Sequence, residues 1–365
     1  MTATFDFDTL SAALADAAVD PTRWHAAMEV AAQVTGSAGA VLFDTNGHLP
    51  DLPHSPSMRP SFEAYVRDGW NHRDERYRIV PLIERRGVAT DLDLLTADEM
   101  DKHPYYQEFL APFGLRWFAG VKAAAGNDLW CMSIQRSNEQ GPFSPDELRQ
   151  LASFSRQLGS MVAVAKALGF ARAEAALEAF DLTQTAAAML DRQGQVVRTN
   201  GPADRLLGSD LQITHRQLVS YDKVATDALR CRLREILWLP APAVSTAPIL
   251  LPRMNKRPLL AYLLRLAAVS YNPLAPCQAI IVFVDQELRC TPDISVLRNC
   301  FGLTSAEAKL AVKISLGLQV EVAADGLGIS YETARNQLKA VFAKTETHRQ
   351  AELVALLGTF KIGQR

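Results

Sequence analysis

The chain has 365 residues, room for two or three domains, and its 48% hydrophobic and 21% charged content is that of an ordinary globular protein. With a formal net charge of −2 and no apolar run of about 18 residues, neither a strongly basic polypeptide nor a transmembrane helix is expected. The opening MTATFDFDTLSAAL lacks the basic and apolar regions of a secretory signal, and the five cysteines are scattered without a C-x-x-C pair, so a reducing cytoplasm is expected. The seven histidines are equally dispersed, and no Ser-His-Asp, paired-carboxylate or phosphate-loop pattern occurs, so neither a metal, a cofactor nor an enzymatic activity is expected.

In chain order, residues 1–143 carry helical patterns (DTLSAALADAA, TRWHAAMEVAAQVTG), a strand-like AGAVLFDTNG and two later strand candidates, RWFAGVKAAAG and DLWCMSIQRS. Helices flanking an antiparallel sheet predict an α+β sensor domain, and the segment resembles a GAF-like fold. Residues 144–180 read as one long helix, opened by Ser144 as N-cap, Pro145 at the first position and Glu147 at the third. Leu151, Phe154, Leu158, Met161, Ala165 and Leu168 follow at alternating spacings of three and four. That is a coiled-coil seam, and it predicts by preference a signalling helix that pairs two protomers, the alternative being a helix packed on its own domain.

Residues 181–287 give strand, tight turn at Gly194, strand, a short helix capped by Asn200 and a late run of strands. With Leu190, Asp191, Gly194, Val196, Asn200 and Ala203, this segment resembles a PAS domain, again α+β. It lacks a photoactive-flavin cysteine motif, and its lone His215 argues against haem. Residues 288–298 are a linker.

The last segment, 299–365, differs in charge. From Val296 onward there are nine Lys/Arg against six Asp/Glu, while the rest of the chain has 29 against 34. A capping box (Thr304, Glu307) starts one helix, a second covers about Val320–Leu327, Gly328 turns the chain, and Ser330 caps a third. Ala334, Leu338 and Val341 fall on one side of that third helix, and Glu332, Arg335, Asn336 and Lys339 on the other. A fourth helix, Arg349–Leu357, closes an all-α bundle.

Leu303, Thr304, Glu307, Gly317, Leu327, Gly328, Ser330, Thr333, Arg335, Leu338 and Lys344, in one ungapped register, closely resemble the LuxR-type (GerE) helix-turn-helix domain. The chain departs from that family's pattern with Ala334 in place of valine, Thr345 in place of leucine, and Gly326 within the second helix. The resemblance implies a groove-reading third helix with Ser330, Thr333, Arg335, Asn336, Lys339 and Lys344 at double-stranded DNA. Arg335 suits guanine, Asn336 suits adenine, and Thr333, Lys339 and Lys344 suit phosphates. It also implies a homodimer through Leu353, Leu356 and Phe360, a pseudo-palindromic operator, and RNA polymerase as a partner if the regulator activates.

In the first segment, Tyr65, Gly69, Trp70 and Asp74 resemble the tyrosine–glycine–aromatic–aspartate line of autoinducer-binding domains, with Ser133 on a later strand. That likeness implies a small-molecule effector held by Tyr65, Trp70, Asp74, Trp117 and Ser133. Against it, Glu75 replaces the family's proline and its pocket tryptophan is missing. Two readings therefore stand: a DNA-binding regulator gated by a small molecule or protein signal, or one whose sensor domains bind no small molecule.

Overall fold

The structure is a computed structural model that describes residues 4–45, 52–125, 128–238, 247–265, 272–287 and 291–358. Three folded units follow one another. In the first, α1 (Phe7–Val19) and α2 (Trp24–Val34) precede β1 (Gly39–Asp44). Then come α3 (Arg59–Arg67), α4 (Val80–Arg86), β2 (Val88–Thr90), the single turn α5 (Ala97–Met100), β3 (Leu115–Ala125) and β4 (Asp128–Ser137). The four strands form an antiparallel sheet in the order β1-β4-β3-β2.

The long helix α6 (Pro145–Leu182) begins at the capping box, with the Ser144 N–H donating to Glu147 Oε2 at 2.7 Å. It corrects the coiled-coil expectation. Leu151, Phe154, Leu158 and Ala165 are buried in the first unit's own core, beside Val162. Met161 and Leu168 are only half-buried, and the helix runs unbroken through Arg172. Its own sheet takes the place that spacing assigned to a second protomer. A three-four alternation is satisfied by any apolar partner, so spacing alone cannot distinguish a neighbouring strand from a neighbouring chain.

The second unit contains β5 (Ala186–Leu190), β6 (Val196–Thr199), α7 (Gly201–Asp204), β7 (Leu211–Thr214), β8 (Gln217–Ser220), α8 (Lys223–Trp238), β9 (Ile249–Arg253), β10 (Lys256–Leu264) and β11 (Ala279–Asp285). Its five-stranded sheet has the order β6-β5-β11-β10-β9. One face packs on α8, and the other is covered by Ala173 and Leu177 from the far half of α6. Thus α6 belongs to two cores and is not a free connector. The segment after residue 271 ties them further. Fully buried Asn272 donates from Nδ2 to Ala165 O of α6 at 2.8 Å, and Leu274 enters the first unit's core. Gly169 makes that docking possible, since a Cβ there would lie 2.7 Å from Ala275 Cβ.

The third unit is helical: α9 (Ile294–Phe301), α10 (Ser305–Ser315), α11 (Val320–Asp325), α12 (Tyr331–Thr345) and α13 (Gln350–Gly358). Leu310, Ala311, Ile314, Ala323, Ala334, Leu338 and Val341 form its centre. Gly326 lies just beyond α11 in right-handed backbone, which corrects its placement inside the helix and removes the interior-glycine cost. Gly328 does adopt the left-handed conformation, φ 68°, and turns the chain into α12.

Candidate functional site

Two places concentrate polar chemistry. The first is a cavity of about 80 Å³ between the first unit's sheet and its covering helices. Tyr65 from α3, Asp74 and Arg76 from the following turn, Tyr105 and Phe109, and Ser133 and Gln135 from β4 all line it. Residues Tyr105–Leu110 form a turn of π-helix, a rare wider winding frequent at functional sites, and its Tyr105, Tyr106, Phe109 and Leu110 are all buried.

The floor of the cavity is a closed polar network. Arg76 is 5% exposed and Asp91 1%, and the Arg76 guanidinium grips both Asp91 oxygens, at 2.8 and 3.3 Å. It also donates to Gln135 Oε1 at 2.9 Å and to Arg116 O at 3.2 Å. Tyr106 donates to Asp91 at 2.6 Å, and Gln135 Nε2 donates to Ser133 Oγ at 2.8 Å. Such a buried pair is held by its extra hydrogen bonds, without which desolvation would exceed the attraction. Above the floor, Asp74 accepts from Tyr65 Oη and from the Arg76 N–H, both at 2.8 Å. Burial pushes the Asp74 carboxyl up from its ordinary value, against the pull of Arg76 and of those hydrogen bonds. Burial and the adjacent Asp74 charge likewise push the Tyr65 phenol up, and it stays neutral.

The structure therefore brings Tyr65, Asp74 and Ser133 to one cavity and leaves two other candidates outside it. Trp70 is buried, stacked on Phe109 at 5.5 Å with Arg73 over its ring. Trp117 packs on the core with Arg116 over its ring, 4.8 Å away. As wall and core residues they do not reach the lumen, which corrects their assignment to the ligand. Arg76, Asp91 and Tyr105 escaped sequence reading. The available hints were an arginine two residues beyond Asp74 and, further along the chain, the aromatic-rich HPYYQEFLAPF.

The second place is the outer face of α12. Ala334, Leu338 and Val341 are buried, which turns Glu332, Arg335, Asn336 and Lys339 outward, all exposed. Arg335 and Lys339 form no ion pair with a described residue within 4 Å. Ser330 caps the helix, accepting from the Thr333 N–H at 3.2 Å, and its hydroxyl meets Thr333 Oγ1 at 2.9 Å. Both are thereby occupied in shaping the helix start. Lys344 is not a free cation: its Nζ donates to Glu307 Oε2 at 2.7 Å. Thr345 is buried with its hydroxyl on Val341 O at 2.8 Å, so the polar substitution leaves no orphan.

The dimer face read from α13 is corrected at Leu353 alone. Leu353 is fully buried in the bundle core and Leu356 is half-buried, while Phe360 lies outside the described residues. Among the described residues, no helix is long and apolar enough to cross a membrane, and no group of three His, Cys, Asp or Glu could hold a metal.

No family model and no curated protein matches the chain. Among solved structures it is similar to the VqsR LBD domain from Pseudomonas aeruginosa, at 14% identity over 44% of this chain and 97% of that one, with a TM-score of 0.34. It is also similar to a phage VqmA–DPO complex (14% identity, 52% and 89% covered, TM-score 0.22). A third is the Vibrio cholerae VqmA dimer, described with LuxR-type receptors (13%, 49% and 86%, TM-score 0.19). Likenesses this distant carry no argument, and the functional reading rests on the residues themselves.

Proposed function

We propose that the chain is a cytoplasmic, homodimeric, sequence-specific DNA-binding transcriptional regulator, gated by a small-molecule effector in the cavity of its first unit. The observation that carries this reading is the face of α12. Arginine, asparagine and lysine stand exposed at helical spacing on the second helix of a helix–glycine turn–helix pair, whose other side is locked into an apolar core. In a major groove, Arg335 gives two donors to a guanine edge and Asn336 pairs with adenine, while Lys339 meets a phosphate.

Gating follows from where the cavity sits. Ser133 and Gln135 face the lumen from β4, and the next residue, Arg136, clamps Glu147 at the start of α6 with Nη2–Oε1 at 2.7 Å. A ligand that shifts β4 thus bears directly on the helix shared with the second unit. For a second copy of the chain, α6 offers exposed Val164, with half-buried Met161 and Leu168 beside it.

The test begins by selecting preferred sites from random duplex DNA with the full chain. Arg335→Ala is then expected to lose about 1–3 kcal/mol of operator affinity and to relax preference at one base pair. Unchanged affinity in that variant, with the fold intact, would sink the assignment of this helix.

A further inference from the structure

We infer that residues 52–58 form a pH-sensitive strap along one wall of the first unit's cavity, closed while His54 is neutral and released when its ring takes up a proton. The strap stands on its own geometry. That its opening bears on DNA binding rests on the reading of the cavity as the effector site.

Backbone pairing lays the strap along β1, the edge strand of the sheet. His54 bridges Val41 in antiparallel fashion, the Leu42 N–H donates to Pro53 O at 2.8 Å, and the Ser55 N–H donates to Ala40 O at 2.9 Å. Ser55 Oγ accepts from the Ala40 N–H at 3.1 Å. Gly39 leaves room for this, since a Cβ there would lie 2.5 Å from Met58 Sδ and 2.9 Å from Ser55 Oγ. Leu52 and Met58 are thereby buried, and both line the cavity. So short a pairing on an edge strand opens easily unless side chains hold it.

Two histidines supply that hold. The His54 ring stacks on Phe62, a lining residue from α3, with centroids 5.3 Å apart, and meets the His25 ring edge-on at 4.6 Å. His25, at the start of α2, turns its Nδ1 to the strap backbone, 3.0 Å from His54 O and 3.3 Å from His54 N. His54 Nδ1 lies 2.8 Å from Leu52 O. A carbonyl can only accept, so the proton sits on Nδ1 and Nε2 keeps its lone pair. Nε2 is buried and makes no hydrogen bond. A proton there would put a charge and an unmatched donor beside Phe62.

Burial therefore pushes the His54 imidazole down from its ordinary value. His25 on α2 and Arg59 on α3 push the same way, while the Leu52 carbonyl and Glu63 on α3 pull against them, and β1 presents Val41. A histidine held low in the closed form takes up its proton first in the open one. The closed strap is thus favoured most above the ordinary imidazole value. That preference is lost as pH falls below it, by at most about tenfold in the opening equilibrium per pH unit.

Backbone amide exchange of the full-length chain tests this between about pH 7.5 and 5.5, with rates corrected for the intrinsic effect of pH. The Leu42 and Ser55 amides should lose protection by up to about tenfold per pH unit, while those around the Ala119–Ile134 pair at the centre of the sheet keep theirs. His54→Gln can still donate to Leu52 O but takes up no proton, and it should stay protected across the range. Equal loss in wild type and variant, or no loss in the wild type, overturns the strap. If the variant does not fold, NMR titration of the wild-type ring decides: a His54 midpoint at or above about 6.5 overturns it. Operator affinity separates the strap from the effector reading. Amides that open in acid, with the same pH dependence of operator affinity in wild type and His54→Gln, would leave the strap standing and count against the cavity as effector site.

Discussion

The first unit and the third handle polar side chains in opposite ways. Around the cavity, Arg76, Asp91, Gln135 and Ser133 are all buried and bonded to one another. On α12, Arg335, Asn336 and Lys339 stand in solvent on the far side of an apolar core. The inward arrangement costs desolvation and is held by mutual hydrogen bonds. The outward one costs little and leaves its donors available to another molecule. A buried network therefore shapes a cavity, and an exposed row serves an interface.

The largest test of this contrast is one of stability. Arg76→Met should leave Asp91 as an uncompensated buried charge and lower unfolding free energy by about 3–5 kcal/mol. Arg335→Met, which removes the same charge from the outer face, should stay within about 0.5 kcal/mol. Urea denaturation of the two variants compares them directly. Similar losses would mean that the α12 face is part of the fold and is not held open for a partner.

The same contrast explains what could be read from sequence. The third unit was legible because its signals are local: a capping box at Thr304 and Glu307, a glycine turn, a serine cap, and apolar positions at helical period within one stretch. The cavity draws on residues 65, 74, 76, 105, 133 and 135, with Asp91 bracing Arg76 behind them, brought together only by the sheet and by a π-helical turn. Tyr65, Asp74 and Ser133 were visible through resemblance, whereas Asp91 has no local signature that distinguishes it from a surface carboxylate. The α6 seam failed for a different reason. Its spacing correctly marks an apolar face but says nothing of what covers it. Leu353 repeats that error at smaller scale, since a leucine assigned to a dimer face lies in the centre of the bundle.

A smaller effect should appear with pH in the third unit. The Lys344 ammonium, together with the Thr304 N–H, holds the Glu307 carboxyl below its usual range. A carboxyl with a depressed folded value contributes stability above its unfolded pKa, and that contribution is lost as pH falls through the folded one. Acid unfolding followed by a probe in this unit should therefore steepen below the normal glutamate range, and Lys344→Met should flatten the curve there. An unchanged acid limb in that variant would mean the contact contributes nothing in solution.

The finest distinction is between two lysines on one helix. Lys339 points outward without an ion pair to a described residue, whereas Lys344 is held by Glu307 across to the start of α10. Each phosphate neutralised releases counterions and adds close to one unit to the slope of log affinity against log salt. Lys339→Met should thus lower that slope by about one, with little change in sequence preference. Lys344→Met should change it by much less, because its charge is already offset within the protein. If the two variants lowered the slope equally, the Glu307 contact would have to open on binding. Lys344 would then serve the free protein as a brace for the recognition helix and the complex as a phosphate contact, and DNA affinity would depend on the cost of breaking that pair.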